Sequence, residues 1–273
     1  IIEQNGGIAG KIPIEDIGVL IIDHPAVLYT HIAITALVEN NAAVVFSAKN
    51  HHPAGLLLPL DTNSVQSERF RHQIETRQPI KKRLWQLTVQ AKIKNQANLL
   101  TKYGIENERL SALIKKVKSG DPQNIEAQAA RFYWPRIFGK KFRRDRRGSP
   151  PNNFLNYGYM ILRAAVARSL VSSGLLPTLG IHHCNRYNAY CLADDIMEPF
   201  RPFVDLTVLK ILKKFDAVED LTPEIKKVLL CILTQTVSYN DQARPLMVGL
   251  HQTTASIYRC FSGEQKTIDY PVL

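Results

Sequence analysis

The chain has no run approaching the ~18 consecutive apolar residues that a membrane-spanning helix requires, which argues against an integral helical membrane protein. Its four cysteines (Cys184, Cys191, Cys231 and Cys260) form no CxxC pair. Neither a disulfide framework nor a four-cysteine zinc site follows from such spacing, and reduced thiols packed as small hydrophobes are expected. GxxxxGK[ST], GxSxG and HExxH are all missing, so a P-loop, a serine-hydrolase elbow and a zincin have no support. The first residues carry neither a basic n-region nor an apolar h-region, so no signal peptide is expected and a reducing intracellular compartment is. An initiating Met is absent too, so the given start need not be the native one. Acid is scarce relative to base: 24 Asp and Glu face 35 Lys and Arg, a formal charge of +11. Such a surplus suits a polyanion, nucleic acid before an anionic membrane surface.

What is present is a chain of 273 residues, 45% apolar and 22% charged, able to bury a core as one large domain or a pair. Its first sixty residues mix periods. Ile17–Asp23 and Ala43–Ala48 are apolar runs of strand length, His31–Glu39 between them has helical spacing, and Gly55–Leu60 is a candidate third strand. The polar stretch Asp61–Ser67 reads as a boundary. Beyond it the pattern is helical: Ser67–Leu100 with a break at Gln78-Pro79, then a helix opened by Asp121 as N-cap and Pro122 and ended by Pro135. A longer helix runs from Pro151 to Gly174, and others are predicted over Arg186–Pro199, Val204–Lys214, Thr222–Leu233 and Pro245–Cys260. The expected fold is α+β, with a small β-rich N-terminal domain (1–62) and a larger all-α C-terminal domain (63–273).

The cations cluster. Arg131, Arg136, Lys140, Lys141, Arg143, Arg144, Arg146 and Arg147 lie among Phe132, Tyr133, Trp134, Phe138 and Phe142, with Asp145 as the one interrupting acid. Arg69, Arg71, Arg77, Lys81, Lys82, Arg83, Lys92 and Lys94 form a second group. Such clusters bind phosphates by counterion release and read no base sequence; otherwise they are solvated faces. Next to them stands a polar stripe. If Arg186 onward is helical, Asn188, Cys191, Asp195 and Glu198 share one face, downstream of His182-His183. Carboxylates one turn apart, with an imidazole and a third carboxylate from Glu126, would suit Mg²⁺ or Mn²⁺. The same acids would also serve as a solvated face. Zinc held by His182, His183 and Cys184 would strain tetrahedral geometry.

The stretch Glu126–Trp134 (EAQAARFYW) resembles the glutamate motif of the CRISPR-associated spacer-acquisition integrase, the endonuclease subunit shared by most CRISPR systems. Leu179–His183 (LGIHH) is similar to its histidine motif and Asp194–Pro202 (DDIMEPFRP) to its acidic motif. Pro150–Met160 and Gln252–Phe261 extend the resemblance, and Gly55–Gln73 is similar to the versions of type II systems. The resemblance implies a β-rich domain for dimerisation and partner contact, a helical catalytic domain, and a Glu–His–acid triad on a divalent metal, Mg²⁺ or Mn²⁺. Carried over by motif, Glu126, His183 and Glu198 are the catalytic metal ligands; His183 rather than His182 fits because it stands fifteen residues before Glu198. Asp195, one turn before Glu198, would support the ligands or serve as an alternative one, and Asn188 would support them. Lys140, Lys141, Arg143, Arg144, Arg146, Arg147, Arg69 and Arg71 are candidates for contact with double-stranded DNA. The resemblance further implies a homodimer, a small ferredoxin-like adaptation partner, and the cytoplasm of a prokaryote. The implied reaction inserts a short spacer DNA into the CRISPR repeat by attack of a 3′-hydroxyl on a phosphodiester. A stand-alone metal-dependent nuclease and a non-catalytic helical DNA-binding scaffold are the rival readings. The chain opens with fewer strand residues than this resemblance leads one to expect.

Overall fold

A computed structural model describes residues 1–48, 53–215 and 219–273. The first elements form a hairpin, β1 (Ile2–Gln4) and β2 (Gly7–Gly10), paired antiparallel. It turns at Asn5 and Gly6, both at positive φ, as a two-residue loop requires. A three-stranded sheet follows, ordered β3 (Val19–Ile22), β4 (Ala43–Ser47), β5 (Pro53–Leu57). β3 and β4 run parallel, joined through helix α1 (His31–Glu39), and β4 pairs antiparallel with β5. Central β4 carries Ala43, Val44 and Val45, all buried. Leu37, Ala42 and Val44 make a small core of their own, whereas Val45 joins the main one.

The helical region begins with α2 (Gln66–Glu75) and α3 (Gln78–Lys102), separated where Pro79 sets the first turn of α3. Then come α4 (Glu108–Ile114), α5 (Ile125–Ile137), α6 (Asn152–Ser172), α7 (Cys191–Met197), α8 (Arg201–Lys214), α9 (Pro223–Leu230) and α10 (Leu246–Ser262). Between α9 and α10 stands a hairpin that the periodicity did not disclose, β6 (Thr236–Tyr239) and β7 (Gln242–Pro245). Its turn residues Asn240 and Asp241 both adopt positive φ. The main core gathers around α6, with Phe154, Leu155, Ile161, Leu162, Val166 and Leu170 fully buried. The carbonyls at the C-terminal end of α6, which no helical N–H can reach, are bonded by side chains: Thr62 to Val171, Asn63 to Ser172 and Arg69 to Ser173.

Three local expectations need correction. The helix expected from Asp121-Pro122 starts at Ile125, with Asn124 as its N-cap, because Asp121 and Asn124 both adopt positive φ and cannot lie within it. Pro135 does not end α5, which runs two residues further to Ile137. The helix expected from Arg186 starts only at Cys191. Asn188 lies in the preceding turns, where its side chain bonds the backbone of Tyr190 and the carboxylate of Asp194.

One buried acid has a measurable consequence. Asp205 on α8 accepts hydrogen bonds from Tyr133 at 2.7 Å and Tyr159 at 2.5 Å, yet burial pushes its carboxyl up from 3.8 to about 6. Between those values the folded chain keeps a proton that the unfolded chain has released. Stability therefore falls as pH rises from about 4 to about 6, by roughly 3 kcal/mol in total, and is level above that window. In Asp205→Asn this component of the slope disappears. Urea midpoints of both proteins across the window check it, and parallel curves would refute it.

Candidate active site

The stripe of acids and the histidine pair converge where α3, α5, α7 and the 176–190 connection meet. Each arrives by its own local chemistry. Glu126 stands in the first turn of α5, whose free N–H groups are capped: Asp121 accepts from Ile125 at 2.8 Å and from Glu126 at 3.0 Å, and Asn124 accepts from Ala127. Glu198 begins a short 3-10 turn between α7 and α8 and is buried. The histidine loop hangs from two anchors. Gln73 of α2 bonds the backbone of Leu176 and Leu179 just upstream. Asp195, fully buried on α7, accepts the backbone N–H groups of Ile181, His182 and His183 at 2.8, 2.9 and 3.2 Å.

Asp195 also takes Nδ1 of His183 at 2.6 Å. That bond is the main reason the His183 imidazole is raised above its usual pKa, against burial, with Asp195 and Glu198 adding to it. In the neutral ring it holds the proton on Nδ1 and leaves Nε2 as a lone-pair donor. His182 differs: its ring lies flat on the Trp85 indole, centroids 4.1 Å apart and planes 2° apart, and burial lowers its pKa. Asp194 faces away from the site, in a two-bond pair with Arg163 on α6 at 2.7 and 2.9 Å.

Lys92 lies at the centre of the two glutamates. Its ammonium donates to Glu126 and, at 2.5 Å, to Glu198. Arg201 approaches the other Glu198 oxygen at 2.9 Å with its guanidinium 4.7 Å from the Tyr159 ring centre. Burial opposes ionisation of Glu198, but Arg201 and Lys92 outweigh it and hold the carboxyl at about 2. The Lys92 ammonium, disfavoured by burial, is raised by Glu198 and then Glu126. So Glu126 and Glu198 meet across a shared cation, while His183 is turned to Asp195. Among the described residues, no three His, Cys, Asp or Glu side chains close into a metal cage. The donor set nevertheless fits a divalent ion. Two carboxylates from separate elements are already drawn to one positive charge, and an oriented imidazole belongs to the next loop.

Lys92, which its place in the sequence groups with the surface cations, is buried. It falls on the α3 face that buries Trp85, Val89, Ile93, Gln96 and Leu99, and a lysine in that stripe was the available signal. Arg69 is likewise occupied, bonding Ser173 at 2.9 Å and lying 4.1 Å over the Tyr258 ring. Arg144 turns inward to Asn152 and Asn156. Lys140, Lys141, Arg143, Arg146, Arg147 and Arg71 are exposed.

Gly180 shows how tightly the loop is built. A Cβ there would stand 2.3 Å from the His183 carbonyl oxygen and 2.8 Å from the Asp195 carboxylate. Gly180→Ala must therefore displace the histidine backbone. We expect a stability loss of about 1–3 kcal/mol by thermal melting. A melting temperature equal to that of wild type would contradict this placement.

The family model for CRISPR associated protein Cas1 matches residues 1–236. A CRISPR-associated endonuclease Cas1 from Neisseria meningitidis serogroup C (strain 8013) is 38% identical over 258 residues, 94% of this chain and 84% of that protein. Among solved structures, a casposase bound to integration product superposes with TM-score 0.79 at 21% identity, over 93% of this chain and 81% of that one. A Cas6-RT-Cas1–Cas2 complex gives TM-score 0.75 at 22% identity, over 97% of this chain and 33% of that one. At those identities the two structures speak for the fold.

Proposed function

The chain belongs to the CRISPR associated protein Cas1 family, and from that membership we propose that it is a metal-dependent DNA integrase and endonuclease of CRISPR adaptation. The observation that carries the reading is the meeting of Glu126 and Glu198 across one cation beside an oriented His183. Glu126, Glu198 and Nε2 of His183 would hold Mg²⁺ or Mn²⁺. When bound, the ion supplies polarisation of the scissile phosphate and stabilisation of the leaving 3′-oxygen. Asp195 keeps the His183 ring in the ligating tautomer, and Arg201, half-buried beside Glu198, adds fixed positive charge where negative charge develops. The reaction inserts short spacer DNA into a CRISPR repeat by attack of its 3′-hydroxyl on a phosphodiester; water in that place gives cutting.

Double-stranded DNA would run over the exposed cations Lys140, Lys141, Arg143, Arg146 and Arg147, with Arg71 as a further contact. On this reading residues 63–273 carry the chemistry and 1–62 carry the protein contacts. Exposed Leu28, Tyr29 and Ile32 support a homodimer and a larger complex with a small ferredoxin-like partner. On this reading the protein works in the prokaryotic cytoplasm; no helix among the described residues is long and apolar enough to cross a membrane.

A strand-transfer assay tests the reading. The protein and its small partner are incubated with a short 3′-hydroxyl duplex and a repeat-containing plasmid in Mn²⁺, Mg²⁺ or EDTA. Joined, branched DNA is expected with either metal; it should vanish in EDTA and in His183→Ala and persist in His182→Ala. Metal-dependent cutting without joining would favour a stand-alone nuclease. Tight DNA binding with neither product would leave only a scaffold.

A further inference from the structure

We infer that Lys92 is a resident cation of this site: it holds Glu126 and Glu198 together in the metal-free protein, and a divalent ion has to displace it to bind. The inference rests on the proposed site and adds a residue that the Glu–His–acid pattern does not contain.

The geometry begins with charge. Glu126 and Glu198 come from segments 72 positions apart in the chain, and their carboxylates converge. Glu198 is buried and the Glu126 side chain is 29% exposed, so little water screens their repulsion. Two such anions stay together only around positive charge. The Lys92 ammonium provides it from α3, with its side chain 10% exposed and its hydrogen bonds directed to these two acids. Lys92 thus stands between Glu126 and Glu198, two of the residues that would hold the ion.

Arg201 is the other cation at Glu198, but it is less free to leave. It sits three residues from Glu198 in the chain, touches the opposite oxygen and packs over Tyr159. Lys92 reaches the acids at the tip of a flexible four-carbon stem, and lysine can swing where a stacked guanidinium cannot. With Arg201 counted, the two carboxylates are already balanced by two cations, so a divalent ion competes with the ammonium for the same acids and does not neutralise an excess of negative charge. The cost is that each metal-binding event must break two ion pairs, of which the one with Glu198 is buried. Resident positive charge therefore keeps the acids assembled and weakens metal affinity.

The test measures metal binding rather than catalysis. Mn²⁺ is titrated into the full chain by calorimetry, using wild type, Lys92→Met and Glu198→Gln. In parallel, wild-type lysines are labelled with an amine-acylating reagent with and without Mn²⁺ and read by mass spectrometry, with exposed Lys94 on the same helix as the internal reference. The expected results are Mn²⁺ binding tighter by about tenfold or more in Lys92→Met, weaker in Glu198→Gln, and Lys92 labelling that rises on adding Mn²⁺ relative to Lys94. If Lys92→Met does not fold, the wild-type labelling decides alone. Mn²⁺ binding that weakens or stays unchanged in Lys92→Met, or labelling at Lys92 that Mn²⁺ leaves unaltered while it binds, overturns the displacement and leaves the site reading standing. Binding as tight in Glu198→Gln as in wild type, or absent from wild type, overturns both.

Discussion

Glu198→Gln is expected to reduce both DNA joining and DNA cutting on the order of 10²–10³-fold or more while leaving DNA binding within a few-fold of wild type. The substitution keeps the shape of the side chain and replaces one charged oxygen by an amide. Lys92 and Arg201, which hold the carboxyl at about 2, then share an amide where they had an anion. The variant should also melt below wild type, since two cations are left under-compensated in a buried place. Glu126→Gln should match it in lost chemistry but cost less stability. That side chain is 29% exposed against 10% for Glu198, and Lys92 remains paired with Glu198. Quantified product gels and salt-dependent DNA retention, run on both variants beside wild type, separate chemistry from binding. Activity retained in either variant would remove that glutamate from the reaction.

The second large effect belongs to Asp195. Three backbone N–H groups and one imidazole converge on its two oxygens, and the residue has no solvent exposure. Asp195→Ala strands all four donors. We expect a loss of about 3–5 kcal/mol, a melting temperature lower by about 10 °C, and no detectable joining because His183 loses its orientation. Asp195→Asn keeps the volume but turns an amide N–H towards groups that are themselves donors, so it should also destabilise, by less. Thermal melts and joining assays on both variants decide it. A variant that melts like wild type would mean that the loop is held elsewhere. His182→Ala is the contrasting control: it removes a ring stacked on Trp85 without touching the Asp195 hub, and joining should persist.

How much of this could be read beforehand depended on whether a signal was local. The strand–helix–strand opening and α6 were legible because hydrophobic period and stop signals agree there. The glutamate, histidine and acidic motifs pointed to one site from three separated stretches, and the structure brings Glu126 and Glu198 to the same ammonium. Asp195 was foreseen as a neighbour of the ligands, though not as the hub of a loop, because its partners are backbone N–H groups that carry no letter in a sequence. Asn188 falls on a helix face only if α7 starts five residues early, at Arg186; there Asn185 and Asn188 instead bond the backbone two residues on. The β6–β7 hairpin was passed over because its strands are four residues each and its turn is Asn-Asp rather than the stronger Asn-Gly signal. Lys92, Arg69 and Arg144 were counted as surface charge because composition does not distinguish a cation facing solvent from one facing a buried acid, ring or amide. Only the helical stripe around Lys92 held a clue, and it required treating a lysine as an interior residue.

The central claim is that Glu126, His183 and Glu198 together bind the divalent ion that serves phosphodiester chemistry. Crystals grown with Mn²⁺ and measured at the manganese absorption edge test it most directly. The account predicts an anomalous peak bounded by one carboxylate oxygen of each glutamate and by Nε2 of His183, with the His183 Nδ1–Asp195 bond intact. Manganese found only elsewhere, with Lys92 still joining the two carboxylates and His183 ligating nothing, would contradict it.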